Sequence, residues 1–144
     1  MSEIGPRLSI IIAAPPDQEV LRSIESLKCL NASPNFAEVI VVRGCMPSIQ
    51  RNVAVKHASG EWLYFLGSDD RLANTDTLKD VNKYLSKDYE LVYGNVYWGD
   101  TNKIYDGSFD LEKLVKQKNI CHQAMFYNKN LFDIIGEYNT KYEI

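Results

Sequence analysis

The run EWLYFLGSDDRL, Glu61 to Leu72, carries an apolar stretch straight into a glycine, a serine and two adjacent carboxylates. Trp62 to Leu66 has the length and aromatic content of a buried strand, and Gly67 to Asp70 is where that strand gives way to a polar loop. The segments upstream decide what kind of sheet receives it. RLSIIIAA (Arg7–Ala14) stops at Pro15-Pro16 and predicts a first buried strand, and AEVIVV (Ala37–Val42) predicts a second. Between them Asp17 opens a segment that sets Val20, Leu21, Ile24 and Leu27 on one helical face and ends at Asn31 to Pro34. Ser48 is placed to cap a helix through about Ala58, closed by Ser59-Gly60. Apolar strands alternating with helix-length segments predict βαβ units with right-handed crossovers and a parallel sheet covered on both faces.

The second half is less regular. Asn74 to Thr77 offer capping groups ahead of Leu78, Val81 and Leu85 at helical spacing. ELVYGNVYW (Glu90–Trp98) predicts a strand, with Lys103 to Tyr105 as its hairpin partner. Leu111 to Val115 predicts a short helix, ICHQAMFY (Ile120–Tyr127) another strand, and Asn130 to Ile135 a helix ended by Gly136. With no repeat, low-complexity tract or linker, the expectation is one α/β domain over residues 1–144.

With 144 residues, 45% hydrophobic and 24% charged, the chain can bury a core without disulfides or a structural metal. Its net charge of −3, from 16 basic and 19 acidic residues with no basic run, argues against a nucleic-acid partner. Cys29, Cys45 and Cys121 are in no metal-ligand spacing and read as free thiols of a reducing compartment. The first apolar run is too short for a signal sequence or a membrane span. The expected location is cytoplasmic, and peripheral attachment at the inner face of a membrane is compatible with that.

In an open parallel sheet, ligands sit outside the carboxyl ends of the strands. Those ends are Ala13 to Asp17, Arg43 to Cys45 and Gly67 to Asp70. No G-x-G-x-x-G follows the first strand, and neither G-x-x-x-x-G-K-[ST] nor G-x-S-x-G occurs, so the usual dinucleotide, NTPase and serine-hydrolase sites are absent. A phospho-accepting receiver would want acids before Asp17, and none is there. What remains is a divalent cation, magnesium or manganese, held by carboxylate oxygens and bridging to a diphosphate. Neighbouring residues in extended chain point to opposite sides. Unless the chain turns sharply, one of Asp69 and Asp70 is therefore the ligand and the other anchors the loop. Taken alone, the pair reads more readily as a polar turn whose aspartates bond to nearby backbone.

The order of features shifts that balance. An isoleucine-rich strand ending in a proline turn, the E-V-I-V-V strand, Arg51-Asn52, Gly60-Glu61 and an aromatic strand closing on an Asp motif together resemble family-2 glycosyltransferases. Gln50-Arg51-Asn52 matches a variant of the family pattern, and Ile120 to Tyr127 followed by Leu131-Phe132 and Gly136 resembles its second-half "hQ-x-x-FY…LF-x-x-x-G" signature. The resemblance covers nearly the whole chain. It implies a GT-A fold: a Rossmann-like αβα sandwich with a mostly parallel central sheet, the C-terminal part of the domain missing here.

The function implied is metal-dependent, inverting transfer of a sugar from a nucleotide-diphosphate donor to a hydroxyl of a glycan or lipid-linked acceptor, in polysaccharide or glycan biosynthesis. The positions it places at the donor are Ala14, Pro15, Arg43, Arg51, Gly67 and Ser68. The Asp-x-Asp motif falls on Gly67-Ser68-Asp69, which makes Asp69 the preferred metal ligand with Asp70 beside it. The first motif carboxylate, which in the family helps hold the ribose, is Gly67 here. Likewise Arg43-Gly44-Cys45-Met46 stands where a base-reading D-D-G-S is common, and Ala14-Pro15-Pro16-Asp17 replaces P-x-Y-N.

Several residues keep two readings. Arg51 is a diphosphate contact or a solvated helix arginine. His122 is an acceptor-side or diphosphate contact, or a histidine partly buried in a strand. Trp62 and Tyr64 read as core, whereas Tyr93, Tyr97 and Trp98 could form a sugar-stacking surface. The general base is expected beyond Ile144, since Asp100, Asp106 and Asp110 match no family position. The rival reading is a catalytically inactive GT-A-like module that binds a nucleotide-sugar or a protein. Gly67 and Arg43 favour it; Asp69 with Arg51-Asn52 opposes it. A homodimer is compatible with either.

Overall fold

The computed structural model describes residues 5–28, 33–105, 108–116 and 120–142. In chain order the elements are β1 (Leu8–Ala14), α1 (Leu21–Lys28), β2 (Ala37–Arg43), α2 (Pro47–His57), β3 (Trp62–Phe65), α3 (Thr77–Asn82), β4 (Leu91–Tyr93), β5 (Val96–Tyr97), β6 (Ile104–Tyr105), α4 (Leu111–Val115), β7 (Met125–Asn128) and α5 (Asn130–Ile135). The central sheet has the order β2-β1-β3-β7-β4. β1 is parallel to β2 and β3, and β7 is antiparallel to β3 and β4. Four of its five strands thus run one way, giving the mostly parallel α/β sheet that the three upstream runs imply.

β1 is the centre of the molecule. Its side chains alternate across the sheet, so both faces of an uninterrupted apolar run find cover. Ile10 and Ile12 join Trp62, Tyr64 and Leu66 on one side, closed by Ile24 and Leu27 of α1 and by Leu78 of α3. Ile11 joins Leu63 and Phe65 on the other, under Ala54 and Val55 of α2 and beside Tyr127, Phe132 and Tyr138. Ile10, Ile11 and Ile12 are each at most 1% exposed, and each contributes about 1.5–3 kcal/mol through burial. Trp62 and Tyr64 are core residues, as read from the sequence.

Gly60 has a packing reason. A Cβ there would lie 2.6 Å from the backbone nitrogen of Ser9. Its N–H instead donates to the buried Ser9 hydroxyl at 2.9 Å, and that hydroxyl donates to Glu38 Oε1 at 2.6 Å. The glycine before β3 is therefore what lets β3 start flush against β1.

Four local expectations are corrected. The first helix begins at Leu21, not Asp17, because residues 15–18 form a turn in which the Gln18 N–H donates to the Pro15 carbonyl at 3.3 Å. α2 begins at Pro47, whose fixed φ suits the first helical position, and Ser48 is buried inside the helix instead of capping it. The expected strand 90–98 is split at Gly94-Asn95: β4 stays in the central sheet while β5 pairs with β6 as a separate ribbon. The expected strand 120–127 starts with a 3₁₀ turn at His122–Ala124, because the Tyr64 hydroxyl donates to the Gln123 carbonyl at 2.8 Å and folds the backbone there before β7. Cys29, Asn31 and Asp106 lie outside the described residues; Cys45 and Cys121 are free. Among the described residues no helix is long and apolar enough to cross a membrane.

Candidate functional site

The carboxyl ends of β1, β2 and β3 form one edge, tied together by named hydrogen bonds. The Gly44 N–H donates to the Ala14 carbonyl at 3.0 Å. The Gln50 amide donates to the same carbonyl at 3.0 Å and to that of Val42 at 2.7 Å, clamping the two strand ends from α2. Arg43 donates to the Pro15 carbonyl at 3.0 Å and also to that of Gln18. The Ser68 hydroxyl reaches Gln18 Oε1 at 2.7 Å. Ala14, Pro15, Arg43 and Ser68 thus converge, and Arg43 holds the β1 turn in place. Gln50 is only 5% exposed, and its Oε1 is without a hydrogen-bond partner. It lies 3.3 Å from where a Gly44 Cβ would stand, so the glycine is what lets the amide fit.

The acidic pair sits in a tight turn. The Asp70 N–H donates to the Gly67 carbonyl at 3.1 Å, closing residues 67–70. This is the sharp turn that extended chain would not provide. It leaves Asp69 exposed and Asp70 half-buried. The fully buried Ser23 hydroxyl of α1 lies 3.0, 2.9 and 2.7 Å from the carbonyls of Gly67, Ser68 and Asp70. One hydroxyl has one proton, so the three carbonyls share it. A Cβ at Gly67 would lie 2.2 Å from Asp70 Oδ2, which means that the Asp70 carboxylate folds back over the glycine.

Burial raises the Asp70 carboxyl above the usual carboxylate range, and the charge of Asp69 adds to that. His122, a hydrogen bond with the Gln123 side chain, and Arg22 oppose the rise. His122 therefore lies within electrostatic reach of the acid turn. It is exposed on the 3₁₀ turn, not partly buried in a strand, because Tyr64 pins the backbone beside it. Burial, followed by the charge of Asp70, also pushes the Tyr64 hydroxyl well above its ordinary value.

Arg51 is partly exposed on α2. Its guanidinium stacks over Tyr138 at 5.4 Å and Phe65 at 5.9 Å from the ring centroids. Phe65 ends β3, so Arg51 supports the strand end that carries the acid turn.

Below the turn opens a cleft of about 700 Å³ lined by Asp69, Asp70, Tyr93, Tyr97, Gln123 and Phe126, among others. Tyr93 and Tyr97 are 37% and 53% exposed, as a stacking surface requires; Trp98, at 67%, is not among the lining residues. Nothing in the sequence pointed to Ser23, Gln18 and Gln123, nor to Arg22 and Arg71 on the cleft wall, and it did not show what Gln50 and Asp100 bind. Most of their partners lie dozens of residues away, so local spacing holds no signal for them.

Among the described residues no group of three or more His, Cys, Asp or Glu side chains is arranged to hold a metal ion. The acid turn offers two carboxylates. That donor set suits magnesium or manganese, which keep water and ligand phosphate oxygens in their remaining positions, and does not suit an all-protein cage.

The model of the family described as "Glycosyl transferase family 2" matches residues 30–136. The chain belongs to glycosyl transferase family 2. Over 119 residues it is 40% identical to proteins named "PGL/p-HBAD biosynthesis glycosyltransferase" from Mycobacterium bovis and Mycobacterium tuberculosis. The match covers 78% of this chain and 46% of those relatives, so the chain spans about half their length. Among solved structures, residues 1-349 of S. aureus TarS in complex with UDP-GlcNAc match with a TM-score of 0.75 at 19% identity. That match covers 92% of this chain and 48% of TarS 1-349, and it shows a shared GT-A fold.

Proposed function

We propose that this family-2 chain supplies the nucleotide-sugar-binding part of a GT-A-like domain and takes part in the metal-dependent, inverting transfer of the sugar from a nucleotide-diphosphate donor to a hydroxyl of a glycan or lipid-linked acceptor. The observation that carries the reading is the turn at residues 67–70. It presents an exposed Asp69 and a half-buried Asp70 at the carboxyl edge of a parallel sheet, above a cleft and beside the joined ends of β1 and β2.

Asp69, with Asp70 in support, would hold a manganese or magnesium ion. Such an ion, when bound, neutralises charge on a departing diphosphate. The protein's own contribution is placement. Ser23 fixes the turn through its three carbonyl contacts. Arg43 and Gln50 fix the β1 and β2 ends, which places Ala14 and Pro15 beside the donor site. Gly67 and Ser68 open the third side, and Arg51 sets the end of β3 by stacking on Phe65. His122, exposed near Asp70, is placed for the acceptor side or the diphosphate.

The rival reading, an inactive binding module, rests on Gly67 and Arg43, which stand where the family keeps carboxylates. Against it stands the Asp70 carboxylate, which returns an acid to the spot beside Gly67. We place the protein in the cytoplasm, at the inner face of a membrane where its acceptor is lipid-linked. Calorimetric titration of nucleotide-sugars with and without manganese tests the donor site. Metal-dependent binding is the expected result, and no binding of any nucleoside diphosphate would sink the reading.

A further inference from the structure

Arg22, Arg71 and Asp100 come from three separate parts of the chain: α1, the loop after the acid turn, and the turn of the β5–β6 hairpin. They meet at one atom. Arg22 Nη2 lies 3.1 Å from Asp100 Oδ1, and Arg71 Nη2 lies 3.4 Å from the same oxygen. All three side chains are more than half exposed, and all line the cleft that holds Asp69 and Asp70. Arg22 is also close enough to Asp70 to oppose the rise of its pKa.

Two guanidiniums meet one carboxylate at this point of the wall, and Asp69, Asp70 and Asp80 line the same cleft. Each guanidinium is a planar fork of donors that matches pairs of phosphate oxygens. Two forks converging on one point suit a tetrahedral phosphate, with several oxygens and up to two charges, better than a single carboxylate oxygen. The grip of Asp100 is also easily released. Exposed ion pairs of this kind contribute little stability. The hairpin that bears it is a two-stranded ribbon outside the central sheet, a structure of marginal stability by itself. At its tip Gly99, with φ of 58°, takes the left-handed conformation that turns Asp100 toward the arginines.

We propose that Arg22 and Arg71 form a phosphate-binding clamp in the cleft, and that Asp100 is the internal anion that fills it until a phosphate-bearing ligand displaces it. The ligand chemistry is a phosphate group, carried either by the nucleotide donor or by the acceptor. The clamp needs no cation at Asp69. Only its assignment to the donor rests on the reading of the acid turn as a donor site.

The test is a phosphorus NMR titration of the whole chain with inorganic phosphate in the presence of a chelator. Replacing both arginines (Arg22→Gln with Arg71→Gln) is expected to weaken phosphate binding about tenfold or more. Asp100→Asn, which removes the competing charge and keeps the shape, is expected to tighten it several-fold. Thermal melts of the exposed-site variants check that the fold is retained. Unchanged phosphate affinity in both variants, or no phosphate binding by the native chain, overturns the clamp. Repeating the titration with magnesium in place of the chelator and saturating uridine diphosphate separates the sources: loss of inorganic-phosphate binding assigns the clamp to the donor, and its persistence assigns it to a phosphate on the acceptor. Failure of uridine diphosphate to bind counts against the donor reading alone, and the phosphate titration still judges the clamp.

Discussion

The Asp70 carboxylate occupies the space that a side chain at Gly67 would claim, with Oδ2 only 2.2 Å from the position of a Cβ there. The glycine is therefore not only the loss of a motif acid; it is the condition for Asp70 to fold inward. Gly67→Ala forces that carboxylate outward and strips it of its hydrogen bond with the Gln123 side chain. The expected cost is about 0.5–1.5 kcal/mol in denaturant unfolding, the net worth of one hydrogen bond. Manganese affinity, read by calorimetry, is expected to fall with it, and an unchanged affinity would leave Asp70 without a part in the metal site.

Ser23 ties α1 to the acid turn through a single shared proton. Ser23→Ala leaves three carbonyls, 2.7 to 3.0 Å from the lost oxygen, without that donor. A loss of about 1–3 kcal/mol is expected from denaturant midpoints. Hydrogen exchange is expected to rise at the Asp70 amide, which closes the turn. Retained protection at that amide would show that the turn holds without the serine.

Arg51 sits over two aromatic rings, so its replacement is expected to act on packing. Arg51→Met removes the charge from Tyr138 and Phe65 and is expected to cost about 0.5–2 kcal/mol. Arg51→Lys, which keeps the charge but not the plane, should recover part of that loss. No change in stability in either variant would return Arg51 to a direct role at the ligand.

The same aromatic cluster sets an alkaline limit. Burial, followed by the nearby Tyr138, pushes the Tyr127 hydroxyl up to about 12, with Arg51 opposing. A hydroxyl whose folded pKa exceeds its unfolded value of about 10 favours the fold less and less as pH rises through that interval. The Tyr127 contribution to stability is therefore expected to be constant below about pH 10 and to fall between there and about pH 12. Tyr127→Phe is expected to flatten that fall, measured as unfolding midpoint against pH. An identical profile would assign the loss to other groups.

How much of this was legible beforehand follows from where each signal resides. β1, β2 and β3 were readable because each is a continuous apolar run with a punctuated end, and burial on both faces demands that pattern. Asp69 was placed correctly at the carboxyl edge because strand ends follow from strands. The break at Gly94-Asn95 was not readable, since β4 and β5 differ only in which partner they pair with. Nor was the 3₁₀ turn at His122, which depends on a hydroxyl at Tyr64, fifty-eight residues earlier. Arg43 was legible as a departure from the family pattern, but its use in lashing the β1 turn needed the fold. The clamp of Arg22, Arg71 and Asp100 belongs to the same class: ordinary surface residues until three elements meet.

The central claim is that Asp69 carries the cation that holds a nucleotide diphosphate. Its most direct test is calorimetric titration of uridine diphosphate with and without manganese, on the native chain and on Asp69→Ala. The account requires manganese-dependent binding in the native chain and its loss in the variant, with the fold intact by thermal melt because Asp69 is exposed. Equal, manganese-dependent binding in both proteins would contradict it.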